Sequence, residues 1–211
     1  MRLYDYAASG NCYKARLLLA LLDLPYERVA VDIFAGDTLT EEYAAINPAR
    51  ETPVLELDDG TPLAQSNAIL WYVAEGTPLL PRTTLERARV VQWLMFEQEY
   101  VISGIAAPRF WLMTGRGDEG AIASRQTRGR EALTRLNEHL RRHDFLLENF
   151  SIADVSVFAY THVAVDAGFR LEDYPDVARW VSRIAAQPRF IDDFVPYPPN
   201  ALPAVSRSIY D

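Results

Sequence analysis

Two rhythms of apolar and polar positions divide this 211-residue chain. Over the first 75 residues the pattern changes every few positions. Arg2 to Tyr6 predicts a short strand, and the apolar positions 15, 18, 19 and 22 fall on one face of a helix over Asn11 to Leu22. Tyr26 to Val31 predicts a second strand. Strand, helix and strand in about thirty residues form a βαβ unit, with parallel strands and a right-handed crossover. Thr38-Leu-Thr-Glu41 has the spacing of a capping box and opens a short helix that Asn47-Pro48 ends. Two short strands then flank Asp59-Gly60, a strong hairpin signal, and Ser66 to Glu75 reads as a third helix with Ser66 as its N-cap. The order is β-α-β-α-β-β-α.

The second rhythm is helical throughout. Gly76 to Pro81 holds two prolines in six residues, which resist both helix and sheet. The expected division is a first domain over 1–76, a linker over 77–83 and an all-helical domain over 84–211. Thr83-Thr-Leu-Glu86 is a second capping box. It opens a helix over 84–114 that Pro108 should kink, followed by helices over 119–143, 151–167 and 175–187. Gly115 to Gly120 contains Arg116-Gly-Asp118, read as a glycine-rich helix connector rather than an adhesion motif. After Gln187-Pro188 the chain becomes a proline-rich tail, expected to lie extended on the surface.

Composition narrows the class. The chain is 49% hydrophobic and 24% charged, within the range of globular domains. Its net charge of -8 repels phosphate-rich partners on average, and no basic cluster reverses this locally, so nucleic acid is not expected as a ligand. One cysteine excludes an internal disulfide framework and multi-cysteine metal sites, and fits a reducing, cytoplasmic setting. Lys14 and Arg16 ahead of Leu17 to Leu22 faintly resemble a leader, but Asp23 closes the run and no cleavage site follows. No stretch approaches the roughly 18 apolar residues of a membrane span.

Three modest chemical signals fall in the first domain, all at the ends of elements. Ser9-Gly-Asn-Cys12 stands where a strand hands over to a helix N-terminus, a position that favours anions. A thiolate placed there would be stabilised by the dipole, the Ser9 hydroxyl and the Asn11 amide; ordinary N-capping accounts for the same residues. Cys12 reads either as a reactive low-pKa thiol or as a small apolar residue tucked against the sheet. Asn47-Pro-Ala-Arg-Glu-Thr-Pro53 precedes a strand, and its final proline either forms a turn or leaves Thr52 as a free edge for a peptide-like ligand. Gln65-Ser66 opens a helix, either as a cap or as a carboxylate site. His139 and His143 have i, i+4 spacing but no third ligand, and read as a solvated basic helix end. His162 reads as a core histidine. Trp93, Phe96, Tyr100, Phe110 and Trp111 recur at near-helical spacing, as core or as the wall of an apolar pocket.

SGNCYKARLLLALLDLPYE, NPARETPVLELDDGTPLAQSNAILWYVAEGTPLLP and FSIADVSVFAY, in this order and spacing, resemble the signatures of the soluble glutathione S-transferase family of bacterial type. The resemblance spans nearly the whole chain. It implies an α/β plus all-α architecture, a thioredoxin-like N-terminal domain followed by a helical-bundle C-terminal domain. It also implies a cis Pro53, with the Thr52 backbone holding the cysteinyl part of glutathione and Gln65-Ser66 holding its γ-glutamyl end. Ser151 to Asp154 resembles the family's folding-related capping box. The first-helix motif is similar to bacterial and fungal-prion-like members, in which residues matching Ser9 and Asn11 lie against the glutathione sulfur. The tyrosine of mammalian-type members is missing, Tyr6 being the nearer of two strand tyrosines. Glu51 stands where many members carry a lysine, and Arg50 is the neighbour that would supply the missing charge.

What the resemblance implies is a cytoplasmic, homodimeric glutathione transferase of the detoxification type. Glutathione is its co-substrate, no metal or membrane takes part, and a small hydrophobic electrophile is the second substrate. Ser9, Asn11 and Cys12 are the catalytic candidates. Arg50, Thr52, Pro53, Gln65 and Ser66 would bind the tripeptide, and Arg109 and Phe110 the electrophile. The alternatives are a glutathione-dependent disulfide reductase and a non-catalytic dimeric interaction module.

Overall fold

In the computed structural model, which describes Met1 to Asp211, the chain divides into Met1–Val73 with Ile191–Asp211, and Ala74–Phe190. In the first unit the elements are β1 (Arg2–Asp5), α1 (Gly10–Leu21), β2 (Glu27–Ala30), α2 (Glu41–Ile46), β3 (Val54–Glu56), β4 (Pro62–Ala64) and α3 (Ser66–Ala74). The sheet order is β2-β1-β3-β4. β1 and β2 are parallel, with Leu3 opposite Arg28, as the crossover through α1 requires; β3 runs antiparallel to both β1 and β4. The β3–β4 hairpin turns at Gly60, whose φ of +85° a side chain would resist. Leu3 and Leu55 from the sheet meet Ala15 and Leu19 from α1 and Ile69 from α3, all fully buried. Each leucine contributes roughly 1.5–3 kcal/mol on burial.

Two helix starts differ from expectation. α2 is capped by Thr40, whose hydroxyl accepts from the Tyr43 N–H at 3.2 Å, and Thr38 lies in a 3-10 turn before it. Ser66 is the first residue inside α3 rather than its cap, because its side chain is turned inward.

The second unit contains α4 (Thr84–Phe96), a π-helical stretch over Glu97–Ala106, α5 (Ala107–Thr114), α6 (Glu119–Leu140), α7 (Ile152–Thr161) and α8 (Pro175–Ala185). The effect expected of Pro108 appears one turn earlier, as widening. Ala107 N–H reaches back to the Ile102 carbonyl, since Pro108 offers no N–H and its ring crowds the preceding turn. On the same stretch Gly104 touches α6 backbone to backbone; a Cβ there would lie 2.4 Å from the Gly129 nitrogen. Asp118, the acidic residue of the Arg-Gly-Asp tripeptide, caps α6 by accepting from Ala121 N–H at 2.9 Å. No helix is long and apolar enough to cross a membrane.

The tail departs from the expected division at 84–211. Residues 191–211 belong to the first unit and are held there along their length. The Tyr13 hydroxyl donates to the Ile191 carbonyl at 2.7 Å, and Arg16 Nε pairs with Asp193 at 2.8 Å. Arg16 also pairs with Asp5 at 2.5 Å; both side chains are fully buried, and charges removed from water this way persist only when paired. Further along, Tyr197 stacks on Tyr6, Asn200 Nδ2 donates to Asp32 at 2.8 Å, and Arg207 N–H donates to the Phe34 carbonyl at 2.9 Å.

Candidate active site

The site is assembled where the C-terminal end of β1, the N-terminus of α1 and the loop before β3 converge. Ser9 is the N-cap of α1, and its Oγ accepts from Cys12 N–H at 3.3 Å. That cap uses a lone pair. It leaves the hydroxyl proton to donate, to Cys12 Sγ or to a stronger acceptor in front of the helix. Ser9 and Asn11 are both partly exposed.

Asn11 directs its Oδ1 inward. Lys14 Nζ donates to it at 2.9 Å and to Ser66 Oγ at 3.3 Å, while the Ser66 hydroxyl lies 3.4 Å from the same Oδ1. Lys14 is fully buried and Ser66 is 5% exposed. With Oδ1 engaged in this cluster, Asn11 Nδ2 is left at the other end of the amide.

Cys12 is not a reactive thiol. It is fully buried, and burial pushes its pKa up to about 11, with Asp5 adding to the rise. Hydrogen bonds from the Thr52 side chain, the Tyr6 backbone and the Ser9 side chain oppose that rise without overcoming it. The Tyr6 N–H donates to Sγ at 3.3 Å. Of the two readings of this residue, the small core side chain is the one observed, and its contacts tie β1, α1 and the Thr52 loop together.

The Thr52–Pro53 peptide is cis, as the resemblance implies. The Thr52 backbone N–H and C=O lie outside the ladder, which begins at Val54, and make no backbone hydrogen bond. The loop is fixed from behind at Glu51, whose carbonyl accepts from Tyr43 Oη and Asn47 Nδ2, each at 2.9 Å. The exposed Glu51 carboxylate is 3.4 Å from Gln65 Nε2. Arg50 and Gln65 both hold positive φ, 57° and 71°, a left-handed backbone that costs non-glycine residues energy and marks this rim as shaped by its surroundings.

Arg50 does not supply the charge expected of it. Its guanidinium donates to the Thr38 and Thr40 carbonyls at 3.1 and 3.0 Å and pairs with Glu41 at 2.9 Å. The Thr40 carbonyl also accepts the first helical bond of α2, from Ala44 N–H at 3.0 Å, so the Arg50 side chain braces the start of that helix and does not serve the site. Arg109 is also corrected. It is 1% exposed and pairs at 3.0 Å with the partly exposed Asp166 inside the helical unit. Phe110 is partly exposed, with the Arg116 guanidinium 5.5 Å from its ring centre.

Two features of the site lie outside the sequence expectations. Lys14, which with Arg16 only faintly resembles the charged start of a leader, stands at i+3 from Asn11, the one signal in the sequence that pairs the two. The tail brings Tyr210 to the site's rim. That residue is 47% exposed, and desolvation pushes its pKa up to about 12, with Glu51, Tyr197 and Cys12 adding to the rise. Tyr6 packs against Phe34 and Tyr197; burial raises its pKa and keeps its hydroxyl protonated. His139 and His143 stack on each other at 4.3 Å, with His139 Nε2 against the Leu146 carbonyl, and no cluster of three metal-binding side chains exists in the chain.

Comparison with known proteins is consistent across the chain. The glutathione S-transferase N-terminal domain model matches residues 8–75, and the C-terminal domain model matches residues 119–183. A glutathione S-transferase from Pseudomonas fluorescens Pf-5 is 43% identical with a TM-score of 0.88, covering 92% of this chain and 98% of its own. A glutathione transferase from Burkholderia graminis, solved with two glutathione molecules per subunit, is 26% identical with a TM-score of 0.77, covering 89% of this chain and 84% of its own. The disulfide-bond oxidoreductase YfcG of Escherichia coli K12 is 29% identical over 87% of this chain and 89% of its own.

Proposed function

Since the chain belongs to the glutathione S-transferase family, we propose that it binds glutathione on its first unit and transfers the sulfur to a small hydrophobic electrophile. The observation that carries this reading is the pair of partly exposed side chains at the start of α1, Ser9, whose hydroxyl can exchange its weak bond to Cys12 Sγ for a thiolate, and Asn11, whose Oδ1 is turned inward, together with a Thr52 backbone that makes no backbone hydrogen bond. Thr52 would pair with the cysteinyl part of the tripeptide after the cis Pro53, and Gln65 with the N-terminus of α3 at Ser66 would hold the γ-glutamyl end. The sulfur then lies before Ser9 and Asn11 at a helix N-terminus. Lowering its pKa by about two units needs a differential stabilisation of about 2.7 kcal/mol and makes a large fraction thiolate at neutral pH. The proton leaves to solvent, the sulfur lone pair forms the new C–S bond, and the leaving group departs with its electrons. Phe110 is the apolar candidate for the electrophile site. A cytoplasmic homodimer serving detoxification belongs to the same reading, with the family as its support.

The similarity to YfcG favours a second reading, reduction of disulfides. There the bound thiolate attacks one sulfur of a disulfide and expels the other as a thiolate, and a second glutathione resolves the mixed disulfide to oxidised glutathione. Burial of Cys12 leaves this step to the bound sulfur. Titration calorimetry with glutathione, followed by assays of Ser9→Ala and Cys12→Ser on an aryl halide and a small disulfide, separates the possibilities. Ser9→Ala is expected to lower turnover and Cys12→Ser to leave it near the wild-type rate. No binding heat at millimolar glutathione would support a non-catalytic module instead.

A further inference from the structure

We infer that Lys14 is a positioning residue: its buried ammonium pins the Asn11 amide so that Nδ2, and not Oδ1, faces the sulfur. The inference rests on the glutathione reading above and gives Lys14 a part in it.

A lysine is rarely buried completely, because its ammonium loses water and must find acceptors. On α1 it lies one turn after Asn11 on the same face, and it is fully buried there. Its Nζ donates to Asn11 Oδ1 at 2.9 Å and to Ser66 Oγ at 3.3 Å. An ammonium has donors only, so the amide atom facing it must be the oxygen. The two ends of an amide have nearly the same shape, and packing alone does not choose between them. The polar partner behind does. With Oδ1 held inward by Lys14 and by the Ser66 hydroxyl at 3.4 Å, Nδ2 is turned outward. A sulfur anion accepts from N–H and is repelled by a carbonyl oxygen, so a flip of this one group exchanges a stabilising contact for a repelling one. The same triangle joins α1 to the first turn of α3 and so couples the sulfur end of the site to the γ-glutamyl end.

The test is a pH titration of the glutathione thiolate absorbance on wild type, Lys14→Met, Asn11→Ala and the double variant, with thermal melts to confirm folding. Lys14→Met is expected to raise the bound thiol pKa by about one unit, a tenfold loss of thiolate below that pKa. Turnover at pH 6.5 should fall by about the same factor and recover at high pH, with the KM for glutathione changed less than kcat. In the Asn11→Ala background the same change should move the pKa by less than about 0.3 unit, because its route is gone. A folded Lys14→Met with an unmoved thiol pKa overturns the inference, as does an equal shift in both backgrounds. If wild type shows no bound thiolate at all, the glutathione reading itself falls and this inference with it. Should Lys14→Met not fold, neutron diffraction of the wild-type glutathione complex reads the amide directly. Deuterons of Asn11 aimed at the sulfur support the proposal, and deuterons aimed at Lys14 overturn it.

Discussion

Two helices of this protein begin with the same device, a serine N-cap with polar partners inside the next three residues, and the two starts serve opposite ends. At α7 the Ser151–Asp154 capping box is closed upon itself. Asp154 Oδ1 accepts from Leu146 N–H and Trp180 Nε1, each at 2.9 Å, and Oδ2 accepts from the Ser151 N–H and hydroxyl. Both residues are almost wholly buried and their capacity is spent inside the fold. At α1 Ser9 accepts one cap bond and donates only to the weak acceptor Cys12 Sγ, Asn11 has only its oxygen engaged, and both remain partly exposed. The lesson is that polar residues at a helix start mark a site when their donors are left over after the local accounts are settled. The cap itself carries no such information.

The contrast is sharpest in what substitution should do. Asp154→Ala would leave four buried donors and a cavity, each unsatisfied donor costing roughly 1–3 kcal/mol. A loss of about 4 kcal/mol or more is expected, lowering Tm by on the order of 10 °C, with the thiol pKa of bound glutathione unchanged. Calorimetry of melting checks the first part and thiolate titration the second. The Asp154 carboxyl is itself pH-linked. Burial raises its pKa to about 6 in the folded protein, against the opposing hydrogen bonds from Trp180, Leu146 and Ser151. Between about pH 4 and 6 the folded state therefore holds a proton that the unfolded chain has lost, and stability falls as pH rises through that window. Urea unfolding should show the advantage of wild type over Asp154→Asn narrowing by on the order of 2–3 kcal/mol from pH 4 to pH 6.5.

Ser9→Ala reverses the emphasis. Stability is expected to drop by about 1 kcal/mol for the lost cap, while kcat/KM for conjugation falls roughly 10–100-fold at neutral pH for the lost donor. A smaller effect belongs to Glu51, whose carboxylate stands on the tripeptide's rim. Glu51→Lys should tighten glutathione binding three- to tenfold by titration calorimetry, since the change replaces a repelling charge with an attracting one in a solvated setting. The smallest is Cys12→Ser. Its Sγ accepts from a backbone N–H and meets no solvent, so steady-state turnover is expected within about threefold of wild type on both aryl halide and disulfide substrates.

Much of this was legible from the sequence, for reasons that differ by residue. The β1–α1–β2 crossover and the Asp59-Gly60 hairpin are set by local periodicity and turn chemistry, and positions 15 and 19 lie in the core as the helical pattern requires. Ser9, Asn11, Thr52, Gln65 and Ser66 are brought to one end of the first unit because each sits at the end of an element meeting there. What local pattern does not encode is the direction of a long side chain. Arg109 is claimed by Asp166, 57 residues away, and Arg50 by the Thr38 and Thr40 carbonyls at the start of α2, 12 and 10 residues back along the chain. The exposure of Cys12 depends on Tyr6 and Thr52 closing over it. The tail's place is fixed by the Arg16–Asp193 and Tyr13–Ile191 contacts, whose partners are remote in sequence, and so its prolines alone said only that it was irregular.

The central claim is geometric: a tripeptide sulfur rests against Ser9 Oγ and Asn11 Nδ2 at the start of α1. A crystal structure of the glutathione complex at near-neutral pH tests it most directly. The sulfur is expected within hydrogen-bonding distance, about 3.2–3.6 Å, of both Ser9 Oγ and Asn11 Nδ2, with the cysteinyl backbone paired to Thr52. A glutathione bound with its sulfur remote from Ser9 and Asn11, or facing Asn11 Oδ1, would contradict the account.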